Sequence, residues 1–125
     1  MAIKARGSFK RSISNLPPLV QAFHYGDIDQ FKRMLDGGED VNSIDDRDDL
    51  SVLMLAGMYN DEAFVDAVFS HHDRRQDVDF DLKSRFGQSA SAIAFLAGHR
   101  DLALKILRYE MAYKRANGLA PPSVP

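Results

Sequence analysis

Apolar and small residues recur along the chain in three similar blocks, each with the spacing of two short helices. An alanine stands four residues before a turn-forming residue in every block, in the pairs Ala22 and Gly26, Ala56 and Asn60, and Ala94 and Gly98. The alanines are 34 and 38 residues apart. A period in this range predicts a stack of small units, in which each unit buries its apolar face against its neighbours.

Each block predicts an inner helix rich in small residues and an outer helix rich in bulky ones. Pro18 suits the first turn of the first helix, and Asp27 suits the start of the second. The bulky residues follow at i, i+3 and i+4 spacing, as Phe31, Met34 and Leu35, then Val65, Val68 and Phe69, then Ala103, Ile106 and Leu107. The pattern therefore predicts an all-α fold of three stacked helix pairs.

Two connecting segments indicate which family this pattern resembles. Residues 38–42 read Gly-Glu-Asp-Val-Asn and resemble the ankyrin turn Gly-Ala-Asp-Val-Asn. Residues 51–56 read Ser-Val-Leu-Met-Leu-Ala and are similar to the ankyrin pattern Thr-Pro-Leu-His-x-Ala that opens the inner helix. The chain is therefore identified as a small ankyrin-repeat protein, and the resemblance implies an ankyrin-like solenoid of three helix-turn-helix repeats with projecting loops.

The resemblance divides an ankyrin-repeat domain of residues 16–117 into repeats at about 16–48, 49–86 and 87–117. Aspartates at positions 48 and 49 occupy the stretch where Gly87 keeps the family's glycine, which predicts a differently shaped or looser first loop. The second period of 38 residues exceeds the ankyrin period of about 33. The excess predicts an insertion over residues 70–77, as a longer outer helix or a bulge.

The two ends of the chain differ from the repeats. The third outer helix is expected to continue through residues 108–116 as a C-terminal capping helix, with Gly118 as its C-cap. Lys114 and Arg115 complement the negative end of its dipole. Residues 118–125 contain three prolines and are predicted to form a disordered tail. Residues 1–15 are predicted to form a basic, flexible N-terminal segment.

Charge is unevenly distributed, although the formal net charge is only −2. Residues 1–26 carry four basic side chains and no acid, whereas residues 27–82 hold sixteen acids against five bases. Residues 83–125 hold seven bases against two acids. An acidic middle repels nucleic acid and attracts cationic surfaces. We therefore expect a basic protein surface, and not a nucleic acid, as the partner.

The resemblance implies that partners bind to the loop tips and to the concave face of the inner helices. In this chain the loop tips are acidic, and two residues near the end of an inner helix offer apolar anchors. The predicted partner-binding residues are Glu39, Asp40, Asp45, Asp46, Asp48, Asp49, Asp79 and Asp81, together with Met58 and Tyr59. The leading hypothesis is a protein-interaction module, which acts as an adaptor, inhibitor or effector and is monomeric when free.

Two alternatives remain open at this stage: a self-associating structural component and a metal-dependent enzyme. The second would use His71 and His72, but adjacent helical residues point about 100° apart and do not readily face one ion. His24 and His99 are interpreted as structural histidines of the inner helices and turns. The chain has no cysteine and no glycine-rich phosphate loop followed by a helix. We therefore expect no enzymatic activity, no cofactor and no metal site.

The hydropathy pattern bears on the compartment only weakly. No apolar run approaches the roughly 18 residues that a membrane span needs, and the first fifteen residues lack the apolar stretch of a secretory signal. We expect no membrane partner and a cytoplasmic location, with export as an effector left open.

Overall fold

A computed structural model describes residues 16–71 and 78–118 of the chain. These residues form six α-helices and no strand, apart from one isolated antiparallel bridge between Ile44 and Ser51. The helices are α1 (Pro18–Tyr25), α2 (Ile28–Asp36), α3 (Val52–Met58), α4 (Glu62–His71), α5 (Ala90–Leu96) and α6 (Arg100–Ala116). The prediction of an all-α protein is confirmed.

The helices associate in three consecutive pairs. The first helix pair is α1 with α2, the second is α3 with α4, and the third is α5 with α6. The shorter helices α1, α3 and α5 form one row, in which α3 contacts both of the others. The longer helices α2, α4 and α6 form a second row, in which α4 contacts both of the others. The first and second pairs therefore each bury part of their apolar surface against the following pair.

The recurring alanines end the shorter helix of each pair in the same way. Each alanine carbonyl oxygen accepts a hydrogen bond from the backbone N–H five residues later, which is the Schellman type of helix end. The bonds join Ala22 to Asp27 at 3.0 Å, Ala56 to Asp61 at 2.8 Å, and Ala94 to His99 at 2.9 Å. The turn residues Gly26, Asn60 and Gly98 have φ angles of 69°, 57° and 88°. The sequence period therefore corresponds to a repeated backbone geometry.

Side-chain caps determine where several helices begin. The Ser51 hydroxyl accepts a hydrogen bond from the N–H of Met54, and the Ser89 hydroxyl accepts one from the N–H of Ala92, both at 3.2 Å. The carboxylate of Asp27 accepts from the N–H of Gln30 at the start of α2. Each cap satisfies an N–H group that has no partner within its helix.

Close contact between α3 and α5 requires small side chains. A Cβ atom added at Gly57 would lie 3.1 Å from the Cβ of Ala94 and 3.3 Å from the carbonyl oxygen of Ala90. Ala56 and Ala94 are fully buried beside this contact. Small residues therefore occupy the place where α3 and α5 approach closely.

The long last helix is held by aromatic contacts. The ring of Tyr109 stacks on that of Phe69 with 3.9 Å between centroids, and Tyr113 lies 5.5 Å from Phe80. α6 extends to Ala116 with Asn117 as its C-cap, and Gly118, which was predicted as the C-cap, is the next residue and has a left-handed conformation. Among the described helices, none is both long enough and apolar enough to cross a membrane.

Three predictions fall partly or wholly outside the described residues. They concern the basic N-terminal segment at 1–15, the tail after Gly118, and the insertion at 70–77, of which positions 72–77 are not described. α4 continues to His71, so the described part of the insertion lengthens the outer helix.

Candidate functional site

The predicted acidic residues lie in two connecting segments, residues 37–51 and 78–89, which we call the loop rim. The rim begins with a turn after α2, where the Asp40 carboxylate accepts a hydrogen bond from the N–H of Asn42 at 2.9 Å. The Ser43 hydroxyl donates to the carbonyl oxygen of Asp40. Glu39 and Asp40 are both exposed. The backbone of this turn is therefore fixed locally, and both acidic residues remain exposed.

Asp45 differs from the other predicted contact residues because it is only 5% exposed. Its carboxylate accepts hydrogen bonds from the N–H groups of Asp48 and Leu50, both at 3.1 Å, and its own N–H donates to Leu50. Asp45 thus folds the loop back on itself, and we exclude it from the proposed contact surface. Exposed Asp46, half-buried Asp48 and exposed Asp49 follow it around the bend.

The second half of the rim repeats this turn with a serine. Ser84 is 6% exposed, and its hydroxyl accepts hydrogen bonds from the N–H groups of Phe86 and Gln88. Its N–H donates to Gln88, as that of Asp45 does to Leu50. Three residues lie between the bonded residues Ser84 and Gln88, whereas four lie between Asp45 and Leu50. The first loop is therefore shaped differently from the second, and both are closed by internal hydrogen bonds.

Hydrogen bonds also join the two halves of the rim. The side-chain oxygen of Asn42 accepts from the N–H of Asp79 at 2.8 Å, and the Asp79 carboxylate accepts from the N–H of Asp81 at 3.0 Å. Nearer the tips, the N–H of Arg85 donates to the carbonyl oxygen of Asp48 at 2.8 Å. The rim is thus one connected edge and not two independent loops.

Two cations of α6 neutralise some of the acids. Lys114 lies 3.1 Å from Asp81 and 3.0 Å from the buried Glu110, and hydrogen bonds to these carboxylates raise its pKa. Lys105 lies 2.7 Å from Asp66 and 3.4 Å from Glu62, and its hydrogen bond to Asp66 is the largest cause of its raised pKa. Asp81 is therefore already paired within the protein.

The predicted apolar anchors lie away from the rim. Tyr59 is 43% exposed and its ring is 5.8 Å from that of Phe23, whereas Met58 is half-buried against the core. Both residues are at the C-terminal end of α3, about 10 Å along the helix from the loops that precede it. The structure does not bring these anchors together with the acidic tips.

Sequence analysis missed several exposed apolar residues, and Phe86 and Leu96 are the most exposed of them. Phe86, at the tip of the second loop, is 71% exposed, and Leu96, at the end of α5, is 70% exposed. An isolated phenylalanine between Arg85 and Gly87 in a polar loop is a recognisable sign of an exposed tip. Leu96 gave no such sign, because its neighbours have the spacing of core residues.

No described group of three or more histidine, cysteine, aspartate or glutamate side chains has the arrangement to hold a metal ion. The hypothesis of a metal site at His71 and His72 concerns two side chains that the structure does not describe. His99 has a structural contact, since its Nε2 atom lies 3.2 Å from the carbonyl oxygen of Met58.

Comparison with models of known protein families finds no match for this chain. A search of curated proteins likewise finds no significant relative.

Proposed function

We propose that the chain is an ankyrin-like scaffold that binds the basic surface of another protein through its loop rim. Three consecutive helix pairs, their matched Schellman ends and the turn-forming Asp40 and Asp79 support the ankyrin-like part of this proposal. The resemblance of residues 38–42 and 51–56 to ankyrin patterns supports it further.

The observation that carries the proposed binding role is that hydrogen bonds hold the backbone from which the rim aspartates project. The backbone around Asp46, Asp48 and Asp49 is held by the buried Asp45 and by the bond from Arg85 to Asp48. A surface that is already ordered loses little conformational entropy when it binds. Fixed acidic groups also steer a basic partner and determine its register.

Such a scaffold functions by covering a surface of its partner. By covering a cationic patch, the chain acts as an adaptor or an inhibitor of the partner and needs no chemistry of its own. The exposed ring of Phe86 lies at the same edge, and its apolar contact with the partner would add to the electrostatic attraction.

Capture experiments with matched variants test this proposal. The full-length protein and the triple variant Asp46→Asn, Asp48→Asn, Asp49→Asn are immobilised and exposed to the same cell lysate, with quantitative mass spectrometry as the readout. A double variant, Asp29→Asn with Asp101→Asn, removes exposed acids from α2 and α6 and is the control. We expect a partner with a basic surface to be lost from the triple variant and kept by the control. Equal capture by all three proteins would contradict the proposal.

A further inference from the structure

The third helix pair exposes an apolar surface on the side away from the second pair. Phe95 and Leu96 at the end of α5 are 45% and 70% exposed, and Leu104 and Met111 on α6 are 36% and 41% exposed. We call these four residues the end face. In a stack of small helical units, an exposed apolar side is a side against which a further element can pack. We therefore ask which element the end face accommodates.

The positions of these residues in the repeated pattern indicate what kind of element covers them. Phe95 follows Ala94 as Phe23 follows Ala22, and Phe23 packs edge-on against Phe64 of α4 at 5.0 Å. Gly57, in the same position of the second pair, faces Ala90 and Ala94 of α5. In both earlier pairs this position contacts helices of the following pair. A helix is therefore the element that the geometry of Phe95 accommodates.

The outer helix gives the same indication independently. Leu104 stands one residue after Ala103, as Asp66 stands one after Val65. Asp66 faces the next pair, because its carboxylate lies 2.7 Å from the ammonium group of Lys105 on α6. Where the second pair has a charged residue with a partner on the next helix, the third pair has an exposed leucine.

Three arginines lie along the exposed stripe of α6 that contains Leu104 and Met111, while the exposed Asp101 precedes Leu104 by three residues. Arg100, Leu104, Arg108, Met111 and Arg115 follow one another at steps of four, four, three and four residues, and all five are exposed. Residues at these spacings share one side of a helix. The stripe alternates cations with apolar side chains, so it complements an apolar surface flanked by carboxylates.

The opposite edge of the third pair is closed. Lys114 donates to Asp81 there, in the place where the N–H of Asp79 donates to Asn42 one pair earlier. The Asp81 carboxylate at the loop rim is thus bonded by α6 itself. The exposed apolar residues described on this pair lie at the end of α5 and on the stripe of α6.

We propose that the end face binds an amphipathic α-helix of a partner protein, with aspartate and glutamate flanking its apolar stripe. This site is separate from the loop rim and has the opposite charge. A second copy of the chain is a poorer occupant, because two end faces meeting symmetrically would place the arginines of the two α6 stripes against one another. Two sites of opposite charge would let the scaffold join two partners.

A synthetic peptide probe tests this site directly. The probe is a fluorescently labelled helix of about 18 residues, or five turns, with leucines on one side and glutamates on both flanks. A scrambled peptide of the same composition has no apolar stripe. We expect the full-length protein to bind the probe with a Kd of about 10–100 µM and the scrambled peptide at least about tenfold more weakly, a difference near 1.4 kcal/mol. Equal binding of the two peptides would overturn the proposal.

Variants of exposed residues locate the bound probe without disturbing the fold. Leu96→Ser combined with Leu104→Ser should weaken probe binding at least about tenfold, as should Arg108→Gln combined with Arg115→Gln. Phe86→Ser is the matched control, because Phe86 is as exposed as Leu96 but lies on the loop rim. It should change the Kd less than about twofold. Thermal melts confirm that each variant folds. A Phe86→Ser effect equal to that of the leucine variant would overturn the proposal.

Two other occupants of the end face would give different results: a second copy of the chain, and residues 119–125 of the chain itself. Sedimentation equilibrium that shows a dimer of the full-length protein, abolished by the Leu96→Ser and Leu104→Ser variant, would identify a second copy and overturn the proposal. A full-length variant with residues 119–125 replaced by a glycine-serine sequence tests the end of the chain. If it binds the probe at least about tenfold more tightly than the natural protein, those residues occupy the face and the proposal fails. A monomer with unchanged affinity supports it.

Discussion

The ammonium group of Lys114 lies 3.1 Å from the Oδ1 atom of Asp81 and donates a hydrogen bond to it. One helix pair earlier, the corresponding acceptor, Asn42, is bonded by the N–H of Asp79. A lysine side chain of α6 therefore donates to Asp81 where a backbone N–H donates to Asn42. Because the same ammonium group also lies 3.0 Å from Glu110, it joins the loop rim to the buried side of α6.

We predict that Lys114→Met destabilises the protein by about 1–3 kcal/mol, because it leaves the carboxylate of Glu110 buried without a cation. The side chain of Glu110 is only 8% exposed. Lys105→Met is the control, since its partners Glu62 and Asp66 are 63% and 45% exposed. Exposed ion pairs contribute less than about 1 kcal/mol. Urea unfolding followed by circular dichroism measures both losses, and equal losses would contradict this interpretation of Glu110.

Alkaline pH should remove the contribution of the Lys114 contacts. Its hydrogen bonds to Glu110 and Asp81 raise its pKa above 10.5, so the folded state holds the proton more tightly than the unfolded state does. This stabilisation is complete below the unfolded pKa and is lost as pH rises through the folded value. We expect the difference in free energy of unfolding between the natural protein and Lys114→Met to shrink above about pH 10.5. A constant difference between about pH 8 and pH 11.5 would show that charge on Lys114 is unimportant.

Ala56→Asp should destabilise the protein by at least about 3 kcal/mol, because Ala56 is fully buried and the new carboxylate has no partner there. Ala63→Asp provides the matched control. Ala63 is exposed in the first turn of α4, where a negative charge interacts favourably with the helix dipole. Its effect should stay within about 0.5 kcal/mol. Thermal and urea unfolding distinguish the two, and an unchanged melting temperature for Ala56→Asp would show that the packing is wrong.

Contact between Gly57 and Ala94 should appear as coupling in a double-mutant cycle. Gly57→Ala brings a methyl group to 3.1 Å from the Cβ of Ala94, which offsets the gain of about 1 kcal/mol in helix propensity. Ala94→Gly removes one of the two colliding methyl groups. We therefore expect the double variant to be more stable than the sum of the single effects predicts, by about 0.5 kcal/mol or more. Additive effects would mean that α3 and α5 do not approach this closely.

The helices were predictable because local signals determine them. The capping serines, the turn glycines and the i, i+3, i+4 spacing act within a few residues, so they are visible in the sequence. Phe95 and Leu96 were not recognised as exposed, since their environment depends on whether another element packs beside α5. No local pattern carries that information.

The candidate site was predictable in its charge but not in its geometry. Asp45 stands in a run of aspartates whose sequence predicts uniform exposure. It is buried because the loop folds back, so that the backbone of Leu50 forms hydrogen bonds with both the carboxylate and the N–H of Asp45. The pairing of Asp81 with Lys114 spans 33 residues and depends on how α6 packs. Tertiary contacts therefore decide which acids remain available to a partner.

Salt dependence of partner binding tests the central claim most directly. The protein captured by the loop rim is titrated by calorimetry into the natural chain and into the triple variant Asp46→Asn, Asp48→Asn, Asp49→Asn. We predict that the affinity of the natural chain falls at least about tenfold between about 50 and 500 mM NaCl, while the weaker triple variant changes little. An affinity that is the same at both salt concentrations, or the same for both proteins, would contradict the acidic rim as the binding surface.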